Sequence, residues 1–195
     1  MSSAPVAAFP SVALRSNLPQ LADLERALET DRVLCRPQLK RYFPGLTFSR
    51  LPKSFKRFSM TVRPICNGVA SETSLDFVAL SPLYQRLSAE RIAHLAGTAE
   101  MRYKLSVSLE LWTNFVQGMK RSAGRPDAMF ETAEGVVAVE YDSGSYSAAT
   151  VRGKLAGYAS FGSIVWGASG KVRTQHLRAL HGSAAVFLHL PWWSS

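Results

Sequence analysis

Two strand-like segments that end in acidic residues constrain the fold of this chain more than any other feature. They are residues 125–128 (RPDA) and 139–142 (VEYD), joined by a short glycine-containing turn. A tight turn between two such strands predicts that Asp127, Glu140 and Asp142 meet at one end of a sheet. Three neighbouring carboxylates repel one another unless a cation neutralises them, and Mg²⁺ prefers such oxygen ligands. A magnesium ion beside a cationic surface is suited to chemistry on phosphodiesters.

The second of these segments has the pattern of a central strand. Alternate side chains point to opposite faces, so Glu140 and Asp142 share a face with Val136 and Ala138. Both faces are apolar up to that point, as expected of a strand covered on both sides. Two acids at its end are costly to bury without a ligand. The alternative is that they only begin a turn, which fits Asp142 better than Glu140.

The helix that follows predicts a cation beside these acids. Val151, Lys154, Leu155 and Tyr158 fall on one helical stripe, with Ser147 as a suitable N-cap. Lys154 is therefore expected to lean toward the sheet, where its amine could steady a phosphate or an attacking hydroxide. The alternative is a lysine at the edge of the stripe whose amine reaches solvent.

The positive charge of the chain is concentrated near its N-terminal half. The formal net charge is +9, and residues 31–70 hold nine Lys or Arg residues against one acid, Asp31. Aromatic residues interrupt this basic run, so we expect a folded nucleic-acid-binding surface, the alternative being a solvated helix face. The expected contacts to double-stranded DNA are Arg36, Lys40, Arg41, Arg50, Lys53, Lys56, Arg57 and Arg63.

Residues 18–83 are predicted to form a winged helix-turn-helix domain. Helices are expected over 18–29, from Pro37, and over 47–58, followed by strands over 60–66 and 74–80. The third helix, with Arg50, Lys53, Lys56 and Arg57, would be the recognition helix, and Arg63 would lie on the wing. Asn67-Gly68 favours a hairpin, and Pro64 restricts its first strand to an edge. The alternative is a small helical adaptor.

Residues 92–195 are predicted to form an α/β domain with a mixed sheet. The expected helices cover residues 84–98, 99–120, 148–160 and 171–180, and the expected strands cover 125–131, 136–142, 162–168 and 184–190. The longer second helix would bury Met101, Leu105 and Trp112.

The cysteines, the histidines and the N-terminal residues are not expected to form a functional site. The two cysteines and four histidines lack metal-ligand spacing, so His94 and the others are expected to be ordinary histidines. Residues 1–17 are interpreted as a flexible lead-in and not a signal peptide. No apolar run is long enough for a membrane helix, and we expect a cytoplasmic protein with no membrane partner.

The motifs resemble a known superfamily and, more narrowly, one family within it. Pro126-Asp127 and the acid-x-acid tripeptide at Glu140 resemble PD-(D/E)XK nucleases. The sequences PDA (126–128), VEYDSG (139–144) and KLAGY (154–158) resemble the replication-relaxation family of bacterial plasmids and mobile elements, over most of the chain from about Leu18. This resemblance implies a winged helix followed by a restriction-endonuclease-like αβββαβ domain. The strand at 163–166 and Arg173 continue it.

One departure from the nuclease pattern concerns the catalytic lysine. The superfamily has a lysine two residues after the acid, where this chain has Asp142. Either Lys154 replaces it from the helix, or the domain has lost cleavage. Glu110 would be the extra acid of some members.

Two functions follow from this resemblance. The first is a DNA endonuclease or nickase in which Asp127, Glu140 and Asp142 hold Mg²⁺ or Mn²⁺ and Lys154 orients the phosphate. The second is a non-catalytic DNA-binding regulator of replication, mobilisation or transcription that uses the nuclease-like domain as a scaffold, with replication or mobilisation proteins as partners or as a homodimer. Association with the nucleoid or a plasmid is expected for both.

Overall fold

The computed structural model describes residues 21–65, 72–115 and 125–194. The predicted lead-in (1–17) and the Asn67-Gly68 turn lie outside these residues. None of the helices in the described ranges combines the length and apolarity needed to span a membrane. In chain order the elements are α1 (Leu21–Asp31), β1 (Val33–Cys35), α2 (Arg36–Tyr42), β2 (Lys56–Val62), β3 (Thr73–Ala79), α3 (Ala89–Lys104), β4 (Trp112–Asn114), β5 (Ala128–Thr132), β6 (Gly135–Asp142), α4 (Ala148–Gly157), β7 (Ser163–Ala168), α5 (Lys171–His181) and β8 (Val186–His189).

The first sheet is antiparallel, with strand order β1-β3-β2. The predicted hairpin is present as β2 and β3, and β2 lies at an edge as expected from Pro64. This strand ends at Val62, before the proline, which has no amide hydrogen to donate to a ladder. Its alternating exposed and covered side chains show that one face packs inward.

The predicted third helix, over residues 47–58, is wrong. The structure has a single 3₁₀ turn, Phe48–Arg50, and by Lys56 the chain is already in β2. Pro52 cannot donate an intrahelical hydrogen bond, and Leu51 and Phe55 are buried by the irregular segment around it. Lys56 and Arg57 therefore lie on a strand, and Arg50 and Lys53 in the turn and loop before it.

The second helical region also differs from the prediction. After a 3₁₀ turn, Pro82–Arg86, one helix runs over Ala89–Lys104, capped by Ser88. The helix predicted over 99–120 is wrong beyond this point, because Ser106 adopts a positive φ of 54° and ends it. Trp112 begins β4 and stacks on Phe130 of the paired strand. Met101 and Leu105 are buried as predicted.

The second sheet is mixed, in the order β4-β5-β6-β7-β8. Its strands β4, β5 and β6 are antiparallel neighbours, whereas β6-β7 and β7-β8 are parallel. The central place of β6 confirms the prediction from its doubly apolar pattern. Val137, Val139 and Tyr141 pack with α3, and Ala138 packs with α4 on the opposite face.

Helix α3 packs against both sheets, and one core runs across them. The core contains Cys35 and Phe77 of the first sheet, Val139 of the second, and the fully buried Trp192 near the C-terminus. The thiol of Cys35 donates to the Trp192 carbonyl at 3.3 Å. A buried ion pair between Arg102 of α3 and Asp31 of α1, with a shortest N–O distance of 2.5 Å, adds a polar link.

Gly97 allows α3 to approach β6 closely, which gives a test of this packing. A Cβ atom at Gly97 would overlap the ring of Tyr141, whose hydroxyl is held by Ser169 and Trp192. We predict that Gly97→Ala lowers the free energy of unfolding by about 1–3 kcal/mol through overpacking, measured by urea denaturation. The matched control is Gly153→Ala on α4, where no atom lies within 4 Å of the new Cβ. It should stabilise by about 0.5–1 kcal/mol. Equal effects of the two changes would contradict the packing described.

Candidate functional site

Glu140 lies near the end of the central strand β6 with a fully buried side chain. Its Oε1 atom is 2.6 Å from Nζ of Lys154 and accepts a hydrogen bond of 2.9 Å from the Tyr146 hydroxyl. Its Oε2 atom accepts one of 2.6 Å from the Tyr158 hydroxyl. Lys154 thus leans toward the sheet as predicted, with 15% of its side chain exposed, and does not reach into solvent.

Local sequence places these donors around Glu140. Ser147 caps α4 as predicted, because its hydroxyl accepts a hydrogen bond from the amide of Thr150. Lys154 and Tyr158 are four residues apart on α4 and therefore adjacent on its surface, with Nζ 3.1 Å from the phenol oxygen. Tyr146, in the loop before α4, was not predicted, since nothing in the sequence distinguishes it from a surface tyrosine.

Asp127, just before β5, is buried beside a histidine that the sequence did not identify. Its Oδ2 atom is 2.9 Å from Nε2 of His94 and accepts a hydrogen bond of 2.9 Å from the amide of Tyr141. His94 is a core histidine, one of the two expected kinds (surface or core), and the packing of α3 on β6 brings it to Asp127. Spacing along the sequence carries no signal for a contact made across 33 residues of chain.

The pKa values of Glu140 and Asp127 are shifted in opposite directions. Burial, aided by the charge of nearby Asp127, raises the pKa of Glu140 to about 7, and the charge of Lys154 only partly opposes this rise. Burial also disfavours the charged form of Asp127, but the charge and hydrogen bond of His94 and the Tyr141 amide outweigh it and hold the pKa of Asp127 below its ordinary value. Near neutral pH the pair therefore combines an ionised Asp127 with a Glu140 that can accept a proton.

Asp142 has a different set of partners. Its Oδ2 atom accepts hydrogen bonds from Nε and Nη2 of Arg173 on α5, at 3.1 and 2.9 Å. Its Oδ1 atom accepts one of 2.7 Å from the amide of Gly144, which has a φ of +102°. This is the geometry of an Asp residue that begins a turn, the alternative interpretation of Asp142. Arg173 also donates to the Tyr146 carbonyl at 2.8 Å and so ties the turn to α5.

In the part of the chain that the structure describes, the three acids of the predicted magnesium site each contact a different side chain, and the site stays a prediction. Within residues 21–65, 72–115 and 125–194, no group of three or more Asp, Glu, His or Cys side chains could hold a metal ion. All acidic residues of the chain lie in these ranges. Asp127 contacts His94, Glu140 contacts Lys154 and Asp142 contacts Arg173. Asp127 is close enough to Glu140 for its charge to raise the pKa of Glu140.

Glu110 does not contribute to the site. It is an exposed residue of the turn between α3 and β4, and not part of a helix beside the acids. The prediction placed it on the helix over 99–120, which ends well before it.

A known protein family matches the part of the chain that contains the three acids. The family model described as replication-relaxation matches residues 75–173. The chain belongs to the replication-relaxation family. No curated protein and no solved structure shows significant similarity to it. The matched region begins in β3 and ends at Arg173, so it contains the three acids and their partners His94, Lys154 and Arg173.

The predicted DNA-contacting residues of this replication-relaxation protein lie before the matched region, and all but Lys40 fall into two groups. Three of them are paired with acids: Arg36 with Asp76, Arg41 with Glu100 and Arg63 with Glu72. Arg41 is also held by the carbonyls of Trp192 and Ser194, so it links α2 to the C-terminal segment and is a structural residue.

The other cations form an exposed cluster, which we call the basic face: Arg50, Lys53, Lys56 and Arg57. Nη1 of Arg57 donates to the Ser49 carbonyl at 2.7 Å, and Nζ of Lys56 donates to the Lys53 carbonyl at 3.1 Å. Through these contacts Arg57 and Lys56 extend back toward the 3₁₀ turn and the loop that carry Arg50 and Lys53. Lys40 is exposed on α2, one turn after Arg36, whose guanidinium lies 6.0 Å from the Phe48 ring.

The Asp142–Arg173 pair gives a stability prediction. Arg173→Met leaves a buried carboxylate without its cation and should cost about 3 kcal/mol of unfolding free energy at neutral pH. Asp142→Asn combined with Arg173→Met should recover part of this loss. The control, Lys171→Met at an exposed position of α5, should change stability by less than about 0.5 kcal/mol. Urea denaturation of the four proteins measures these values, and a neutral Arg173→Met would contradict the structural role.

The raised pKa of Glu140 predicts a pH dependence. A folded pKa of about 7 lies above the ordinary value of 4.5, so the folded state binds a proton more tightly than the unfolded state. The resulting stabilisation is present below about pH 4.5 and is lost as the pH rises through 7. The unfolding free energy of the wild type should fall relative to Glu140→Gln over this interval, by up to about 3 kcal/mol. A difference that does not vary with pH would show that burial does not perturb Glu140.

Proposed function

We propose that this replication-relaxation protein binds double-stranded DNA through the basic face and acts in the replication or mobilisation of a plasmid or other mobile element. The family supplies the coarser part, a role related to replication or mobilisation. The observation that carries DNA binding is the basic face itself, with four exposed or half-exposed cations within eight residues. Such a cluster favours a polyanionic partner.

The order of the elements from α1 to β3 supports the same proposal. An α-β-α order followed by a β-hairpin, with the strand order β1-β3-β2, is compatible with the predicted winged helix. The place of the recognition helix is taken by the 3₁₀ turn that carries Arg50. The winged-helix and nuclease-like classes, the homodimer, the replication or mobilisation partners and the association with nucleoid or plasmid stay predictions.

The buried acids support a scaffold role for the second sheet. Each of the three has a basic partner from a different helix, and these pairs join α3, α4 and α5 to the central strands. We propose that this domain positions the basic face through the shared core and the Arg41 contacts. DNA affinity is then expected to depend on the basic face and not on Glu140 or Lys154.

DNA binding is tested by the salt dependence of affinity. If the basic face neutralises about four phosphates, the logarithm of the association constant should fall against the logarithm of salt concentration with a slope of roughly −3.6. Lys53→Ala with Lys56→Ala and Arg57→Ala should flatten this slope markedly in a fluorescence-polarisation titration with a duplex. Lys154→Met serves as a control and should leave the slope unchanged. An unchanged slope in the triple variant would place the DNA surface elsewhere.

A second candidate function is phosphodiester cleavage, favoured by the contact between Lys154 and Glu140. In this function Asp127 and Glu140 would hold Mg²⁺ or Mn²⁺, which would activate water and stabilise the charge of the transition state. Lys154 would provide the positive charge of the lysine that the nuclease superfamily has at the position of Asp142. Opening the site would require Glu140 to exchange some of its present hydrogen-bond donors for the ion.

Plasmid nicking in the presence of Mg²⁺, Mn²⁺ or EDTA separates the two candidates. If cleavage occurs, Lys154→Met should reduce it about a hundredfold, since it removes one preorganised charge and retains the aliphatic stem. Asp127→Ala and Glu140→Ala should also abolish it. Nicking by Lys154→Met at the wild-type rate would exclude the substituted lysine. A wild type that nicks with neither metal supports the scaffold role.

A further inference from the structure

Among the described residues, none of the four cations of the basic face is paired with an acid, in contrast to the three arginines that were predicted with them. Arg36, Arg41 and Arg63 each have a carboxylate within 3.3 Å. No such pair involves a residue of the basic face, although every acidic residue of the chain belongs to the part that the structure describes. Its charge is therefore available to phosphates without first breaking an ion pair.

The basic face has no element suited to reading base sequence. Direct readout places a helix or a two-stranded ribbon in the major groove, with side chains that contact base edges. Here the cations extend from a three-residue 3₁₀ turn, a loop and the first residues of β2. The adjoining ribbon of β2 and β3 carries Asp76, which is bonded to Ser59 and Arg36. Directly before β3 lies Glu72, which is bonded to Arg63. These acids would meet phosphates unfavourably if the ribbon entered a groove.

The surface also lacks the features that bind single strands. Such proteins stack unpaired bases on exposed aromatic rings. Among the described residues, the exposed large apolar side chains are leucines and valines, and none is aromatic. Phe48 and Phe58, beside the basic face, are half-buried, and Phe55 is buried. A rigid backbone with closely spaced phosphates suits this surface better than splayed bases.

We infer that the basic face binds the phosphate backbone of duplex DNA without discriminating base sequence. This inference rests on the proposed DNA binding and specifies its mode. The cations are long, flexible and grouped around one turn, which allows contact with successive phosphates but fixes no side chain against a base edge. If the plasmid or mobile element requires recognition of a particular base sequence, a partner protein or another surface then provides it.

The test uses the full chain and short duplexes of equal length but unrelated sequence, one rich in A·T pairs and one in G·C pairs. A matched single strand and a duplex RNA complete the panel, and affinity is measured by fluorescence polarisation. The duplex DNAs should differ by less than about fivefold, whereas a sequence-specific protein separates its site from others by about 10³-fold or more. The single strand should bind at least about tenfold more weakly, because no aromatic platform holds its bases.

A matched pair of variants assigns the effect to the basic face. Arg50→Gln with Lys53→Gln should weaken binding to every duplex DNA by the same factor, of about tenfold, through the loss of two phosphate contacts. Both side chains are exposed, so folding should be retained. Arg26→Gln with Lys171→Gln removes the same charge from exposed positions on α1 and α5 and should change affinity less than about threefold.

The outcomes separate this inference from the proposed function. Preference for one duplex by about 10³-fold, or tighter binding of the single strand or the duplex RNA, would overturn the inference while nucleic-acid binding stands. Equal weakening by both pairs of variants would also overturn it, since total charge alone would then explain binding. Failure to bind any nucleic acid at low salt would instead overturn the proposed function.

Discussion

The rest of the structure depends on how the chain neutralises a carboxylate in the middle of its larger sheet. Glu140 is completely buried in β6, and an isolated ionised group at such a position would be very costly. Lys154, Tyr158 and Tyr146 meet this requirement with three contacts of 2.6–2.9 Å. Lys154 lies on α4, Tyr158 is the residue that ends this helix, and Tyr146 lies in the loop before it. The charge on the strand therefore dictates where that helix lies.

The same solution is repeated at the neighbouring acids and ties each face of the sheet to its helices. His94 of α3 meets Asp127, and Arg173 of α5 meets Asp142. Protein side chains thus contact each of the three acids that the sequence predicted as ligands of a divalent ion. The family match contains all these residues, whereas the basic face lies before it. In the function proposed above, the matched domain supplies rigidity and the charge for DNA binding lies in residues 21–65, which α3 and the Arg41 contacts join to that domain.

The sequence predicted best the elements whose pattern is local. Strands β5 to β8 and helices α4 and α5 follow from period-two and helical spacing, and the side of α4 that bears Lys154 followed from the same stripe. Prediction failed where packing between residues far apart in the sequence determines the local structure. The segment around Leu51 and Phe55 is irregular because its apolar side chains fill a core made by α1 and α2. Trp112 belongs to a strand because Phe130 pairs with it, and His94 reaches Asp127 only through the packing of α3 on β6.

The central claim, that α4 is held to the sheet by the charge on Glu140, is tested most directly by a double-mutant cycle. Glu140→Gln, Lys154→Met and the double variant are compared with the wild type by urea denaturation at about pH 8, where Glu140 is ionised. We predict a favourable coupling energy of about 1–3 kcal/mol between the two side chains. Single effects that add to within about 0.5 kcal/mol would contradict the claim, because independent side chains behave in this way.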